Sequence, residues 1–204
     1  MDLMDLLQWQ LSDGVLNGLD NQLNIGDSKK TNAAASAAMS VLMTALSKNA
    51  ASSDSALNGL SGALERDHDG SFLDDIMGLM TGKSQPQNAK QLNGAGILGH
   101  LLGGKQDSAI EVLARMAGLD KNQSMGMLVK LAPMVLGVLG RYKKQKQMDN
   151  DGLRSFLNRS QEVHVERNEG ANIFTKLLDK DGDGSVVDEV ASIGMKMLGN
   201  FLRR

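Results

Sequence analysis

Cysteine is absent from the 204-residue chain, which excludes a disulfide framework, thiol catalysis and cysteine-ligated zinc. Aromatic residues are only 3% and proline occurs twice, at Pro86 and Pro133. β-Branched residues are sparse as well. Strands draw on aromatic and β-branched side chains, so the composition predicts helix. The chain also lacks a dominant charge. The net value is −2 with 23% charged residues, and no pull toward nucleic acid or a membrane surface is expected. The longest strongly apolar stretch, Leu128 to Leu139, is too short to cross a bilayer and is interrupted by Lys130 and Pro133. The first residues, Met1-Asp2-Leu3-Met4-Asp5, lack the basic end and apolar run of a secretory signal, and the expected location is cytoplasmic.

What the chain does have is Ala, Leu, Gly (23) and Met (13) within a 41% apolar composition. Apolar residues spaced three and four apart over Leu3 to Leu23 describe a helical stripe, with Gly14 as a possible break. Asp27 or Ser28 suits the cap of a helix through Ala33 to Leu46. Ser47 to Ser55 reads as a connection, Ala56 to Leu64 as a short helix and Ser71 to Met80 as another. Residues 81–93 form a polar linker. Helices are expected at about Asp107 to Ala117, Lys121 to Lys143, Asp149 to Leu157 and Ser185 to Leu202. Pro133 should kink or split the longest of these. Val163 and Val165 alternate with His164 and Glu166, which predicts a short extended segment and a surface excursion over Arg159 to Gly170.

The two halves, 1–92 and 93–204, correspond. A constant shift of 93 lays Met39-Ser40-Val41-Leu42-Met43-Thr44-Ala45-Leu46 on Ala132-Pro133-Met134-Val135-Leu136-Gly137-Val138-Leu139, and Asn58-Gly59-Leu60 on Asp151-Gly152-Leu153. After 21 further residues in the second half, Glu65 to Ile76 lies on Asp179 to Val190. An all-α fold of two related helical halves, packed into one globular unit, is the expectation.

The strongest local signal is the pair of aspartate-rich turns. Both read acid-x-Asp-x-Asp-Gly-Ser, followed by two apolar residues, Asp, an acid and an apolar residue. Ca²⁺ is a hard cation that takes six to eight oxygens, which selects carboxylates two residues apart on a tight turn with Gly at the bend. Asp179, Asp181, Asp183 and Ser185 occupy positions 1, 3, 5 and 7 of an EF-hand loop, Ser185 through its backbone carbonyl. Position 12, where a bidentate Glu belongs, is Val190, so Asp188 or Glu189 would have to close the site. Glu65, Asp67, Asp69, Ser71, Asp74 and Asp75 form the weaker, second candidate. The competing reading treats these acids as helix caps, since Ser71 with Asp74 and Ser185 with Asp188 resemble capping boxes.

Other features carry less. His68, His100 and His164 share no metal-ligand spacing. Arg141-Tyr142-Lys143-Lys144-Gln145-Lys146 reads as the solvated end of a helix. No nucleophile–base–acid arrangement is visible, and the expectation is a non-enzyme. Gly94 to Gly104, Leu131 to Gly140 and Leu177-Leu178-Asp179 to Asp188 resemble an uncharacterised bacterial family related to YidB (domain of unknown function 937), mainly over residues 93–204. The resemblance implies an all-helical fold and bacterial origin, and offers no catalytic residues. The functional expectation is a Ca²⁺-binding helical protein. The alternative is an interaction or self-association module that meets a protein partner or its own copy through a Met- and Leu-rich surface, with the acidic turns acting only as caps.

Overall fold

Two aspartates set the longest helices. The Asp27 carboxylate accepts the N–H groups of Lys29 and Lys30 at 2.9 and 3.1 Å. Asp120 accepts from Gln123 at 2.8 Å while the Gln123 side chain accepts the Asp120 N–H, a reciprocal capping box. The computed structural model describes residues 2–75, 93–167, 173 and 175. Its helices are α1 (Leu3–Gln10), α2 (Asp13–Leu23), α3 (Ser28–Ser52), α4 (Asp54–Arg66), α5 (Gly94–Leu102), α6 (Gln106–Ala117), α7 (Lys121–Lys146) and α8 (Asn150–Arg167), with 3₁₀ turns at Ser71–Asp75 and Gly103–Lys105. No strand occurs among the described residues.

The core is organised around α3 and α7. Residues 38–47 of α3 and 131–140 of α7 are each ten consecutive buried positions. A helix buried over every position of nearly three turns has no solvent face and must be sheathed on all sides. Accordingly α3 packs against each of the other seven helices, and α7 against α1 to α6. Although its strongly apolar stretch is short, α7 as a whole is long and apolar enough to cross a membrane, and 72% of its most apolar window is buried inside the fold.

Several local expectations are corrected by this packing. Leu3 to Leu23 is two helices that part at Leu11 and Ser12, short of Gly14. The expected connection from Ser47 belongs to α3, because Ser47 and Ala50 are buried. The helix ends only at Ser53, whose hydroxyl caps α4 by accepting the Ala56 N–H at 3.1 Å. Pro133 neither splits nor ends α7. Its missing N–H leaves the Val129 carbonyl without a helical partner. Gly94, the first residue of α5, sits against that carbonyl so closely that a Cβ would come within 1.8 Å of the oxygen. The α5 backbone thereby covers the carbonyl that proline frees.

The segment Gln161 to Arg167 is also helical, as the end of α8. Its buried stripe is Leu153, Leu157, Ser160 and His164, whereas Val163 and Val165 are only half-buried. Of the polar side chains of α8, Asn158, Gln161 and His164 face a row of hydroxyls on α3, whereas Ser160 meets the Leu3 N–H of α1. Ser47 Oγ donates to Asn158 Oδ1 at 3.1 Å. Thr44 Oγ1 lies 2.8 Å from Ser40 O and 3.2 Å from Gln161 Oε1, its one hydrogen shared between them. His164 Nε2 lies 2.8 Å from Ser40 Oγ. Because the Ser40 hydroxyl donates to Ser36 O, Nε2 of the imidazole is the donor. The seam satisfies buried polar groups that would otherwise cost about 1–3 kcal/mol each.

Two stability predictions follow from this packing. Gly94→Ala is expected to cost at least about 1–3 kcal/mol, as an added methyl meets backbone with nowhere to go; a denaturant midpoint matching wild type would refute the close approach. The second concerns pH. Burial pushes the pKa of His164 and of His68 below the ordinary histidine value, against the opposing charges of Asp2 and Asp67 respectively. The folded state therefore prefers both imidazoles neutral, and the unfolded chain takes up protons first. Stability is full above about pH 6.5 and falls as pH drops from there through the lowered folded values, by up to about 1.4 kcal/mol per unit per histidine. His164→Gln should roughly halve that slope in denaturant titrations between pH 7 and pH 5. An unaltered slope would show that His164 is not one of the protons involved.

Candidate metal turns and the family

The stronger candidate, Asp179, Asp181, Asp183, Ser185, Asp188 and Glu189, lies outside the described residues. The other is in view. Glu65 belongs to the last turn of α4, and Asp67 is its C-cap, donating its N–H to Ala63 O at 2.9 Å. Gly70 takes a left-handed φ of 82°, a conformation that costs a glycine nothing. Asp69 Oδ1 accepts the Ser71 N–H at 3.0 Å, and the chain then winds into the 3₁₀ turn Ser71–Asp75, with Leu73 buried beneath it. The side chain of Asp75 is outside the described part.

The end of α7 runs alongside. Gly140 makes this possible, because a Cβ there would fall 1.9 Å from His68 O and 3.1 Å from Leu64 O. With the helices this close, the basic residues that follow Gly140 reach the acids. Arg141 Nη2 lies 2.7 Å from Asp74 Oδ1 and also donates to Gly70 O. Lys143 Nζ lies 2.6 Å from Glu65 Oε1, and Lys144 Nζ 3.6 Å from Asp69 Oδ2. Lys146 stands over the Tyr142 ring. The run read in the sequence as a solvated helix end is thus the counter-charge of the first acidic turn.

The electrostatics agree with the geometry. The Lys143 hydrogen bond, then its charge, holds the Glu65 carboxyl below the usual range. Asp69 is lowered chiefly by the Ser71 N–H, with Lys144 contributing less. His68 is buried within the turn, and its Nδ1 has no hydrogen-bond partner among the described residues. The carboxylates diverge toward separate cations, leaving a hollow of about 270 Å³ beside Glu65, Asp69, Lys143 and Lys144. Among the described residues no three His, Asp or Glu side chains group closely enough to hold a metal ion.

This ion-pair set was not legible in the sequence, since its members lie roughly 70–80 positions apart and no local period links them. The only available signal was a basic block and an acidic turn of matching size. Among the described methionines, Met4, Met39, Met43, Met127 and Met134 lie in the core. Trp9, 82% exposed, and Met125 are the large apolar side chains on the described surface.

The described residues thus define an all-helical globular protein in which the acidic turn that follows α4 meets the basic end of α7, one of its two central helices. The chain belongs to DUF937, a family of bacterial proteins of unknown function, whose family model matches residues 5–142. The match takes in most of the first half and the strings Gly94 to Gly104 and Leu131 to Gly140, and stops ahead of Asp179. No curated protein and no solved structure matches the chain.

The ion pairs differ in what their loss exposes. The Lys143 side chain is 9% exposed whereas Glu65 is 62% exposed, so removing the carboxylate strands a nearly buried ammonium. Asp74 is 78% exposed, and Arg141 keeps Gly70 O without it. Glu65→Gln is therefore expected to lower the melting temperature more than Asp74→Asn. Calorimetry giving the reverse order would show that the Lys143 pair is not the main brace.

Proposed function

We propose that this chain is a non-enzymatic helical protein, formed by internal duplication, that binds Ca²⁺ at its second acidic turn and neutralises its first from within. The duplication is supported by the helix boundaries. A displacement of 93 carries α3, Ser28–Ser52, onto 121–145 within α7 and its cap Asp27 onto the cap Asp120. It carries α2 onto 106–116 within α6, α1 to within about two residues of α5, and most of α4 onto α8. The buried run 38–47 falls on 131–140.

The observation that carries the metal reading is a difference in counter-charge. The first turn meets Arg141, Lys143 and Lys144. The same displacement puts Lys48, Ala50 and Ala51 where the second turn would meet α3, one cation in place of three. The second turn nevertheless holds five acids, Asp179, Asp181, Asp183, Asp188 and Glu189. A turn of that charge, matched by fewer cations at the corresponding α3 positions, calls for an external cation, and its oxygen spacing suits Ca²⁺. Ser185 would add a backbone carbonyl. By the same reasoning Glu65, Asp67, Asp69, Ser71, Asp74 and Asp75 serve as a brace and bind Ca²⁺ weakly if at all.

Ca²⁺ that binds only the folded chain stabilises it by about 2.7 kcal/mol at a hundredfold excess over Kd. For a chain of this size that is a rise of about 5–10 °C in melting temperature. Asp181→Ala with Asp183→Ala should remove most of the rise, and Arg141, being at the other turn, should not matter to it. Melts of wild type and double variant, each with chelator and with millimolar Ca²⁺, make the comparison. Equal shifts in both, or none in either, would end the metal reading.

The exposure of Trp9 favours a second reading, an interaction or self-association module with the acidic turns as caps. Native mass spectrometry with chelator separates the two. Monomers that take up one Ca²⁺ favour the first, and metal-free oligomers lost on Trp9→Ser favour the second.

A further inference from the structure

A cavity of about 430 Å³ lies where α1 meets the end of α7 and the face of α8. That volume falls within the range of small-ligand sites. Tyr142 of α7 and Phe156 of α8 make one wall, their ring centroids 4.8 Å apart at 34°, and Val163 continues it one and a half to two turns further along α8. Opposite them the wall is polar, and its polar groups are already engaged. Asp2 Oδ1 accepts the Asp5 N–H at 2.9 Å, and Asp5 Oδ2 the Asp2 N–H at 3.0 Å. Arg167 Nη1 lies 2.9 Å from Asp2 Oδ2 and 3.5 Å from Asp5 Oδ1. The buried Ser160 hydroxyl accepts the Leu3 N–H at 3.1 Å.

Arg159 is the exception. It lines the same cavity from the α8 face that carries Phe156 and Val163, and it is exposed. Among the described residues it has neither an ion pair nor a hydrogen bond. The cavity therefore joins an aromatic wall to one guanidinium that has no partner among the described residues. A guanidinium presents two parallel N–H donors that match a carboxylate, and the ring pair offers a surface for a flat apolar body. The carboxylates of Asp2 and Asp5, balanced among the described residues by Arg167, disfavour a second negative charge.

We infer that this cavity binds a small monoanionic aromatic carboxylate, its ring against Tyr142 and Phe156 and its carboxylate on Arg159. The site uses neither acidic turn, so the test is run on the full chain with chelator present. The probes are 1-naphthoate, uncharged 1-naphthamide and dianionic 1-naphthyl phosphate, followed by calorimetric titration and by amide chemical shifts. Naphthoate should bind in preference to both others. Arg159→Gln should weaken it by about tenfold or more, with Arg159→Lys recovering part of the loss. Val163→Trp, which fills the cavity from the exposed side and leaves Arg159 in place, should abolish binding while the thermal melt stays cooperative. Equal binding of acid and amide, tighter binding of the phosphate, an unaffected Arg159→Gln variant, or no binding at millimolar naphthoate each overturns the proposal.

Discussion

The contact between α3 and α7 is the constraint from which the rest of the structure follows. Each helix carries ten consecutive buried residues, so neither has a face that water can accept. The remaining helices are positioned by the need to cover this pair. Amphipathic sheath helices such as α4, with Leu57, Leu60 and Leu64 inward, and α6, with Ala109, Ile110, Val112 and Leu113 inward, have one buried stripe each and complete the shell. The core is built mainly from Ala, Leu, Met and Val, with Ala34, Ala35, Ala38, Ala45 and Ala50 of α3 buried in it.

Close approach then decides where charge can meet charge. At Gly140 the backbones of α7 and the α4 turn are separated by less than a side chain. That places the basic end of α7 over the first acidic turn and fixes three ion pairs there. Surface ion pairs of this kind contribute little singly. The Lys143–Glu65 pair stands apart because its ammonium is nearly buried and needs its partner. The polar seam of α3 against α8 works similarly. Ser40, Thr44 and Ser47 lie on one α3 stripe and meet His164, Gln161 and Asn158 in order, so a slide of one turn would leave several buried groups unsatisfied.

The helical class was legible from composition and period, as were the Asp27 cap, the extent of α6 and most of α7. The acidic turn from Glu65 was legible as a turn. What failed was local reasoning at places governed by distant neighbours. Ser160 and His164 do not count as apolar, so the buried stripe of α8 seemed to stop at Leu157. Its continuation depends on partners more than a hundred residues away, the Leu3 N–H for Ser160 and the Ser40 hydroxyl for His164. Pro133 is expected to kink or split α7, and it does not split it; the sequence does not reveal that Gly94 will cover the carbonyl it frees. Arg141 and Lys143 read as solvated because their partners lie a helix away in space and far back in the chain. The stronger candidate turn, from Asp179 to Glu189, lies outside the described residues and is read from the spacing of its carboxylates.

The spacing of the two central helices also bears on how the protein is made. The buried run of α3 is synthesised about 93 residues before the run of α7 that covers it. At about 5–20 residues per second, the ribosome leaves Met39, Leu42, Met43 and Leu46 without their main cover for about 5–20 s. The first half emerges with an apolar helix and an acidic turn whose cations have not yet been translated. Its folding is therefore expected to wait for the second half, and truncation or ribosome stalling before Gly140 would leave a nascent chain that depends on chaperones for its solubility.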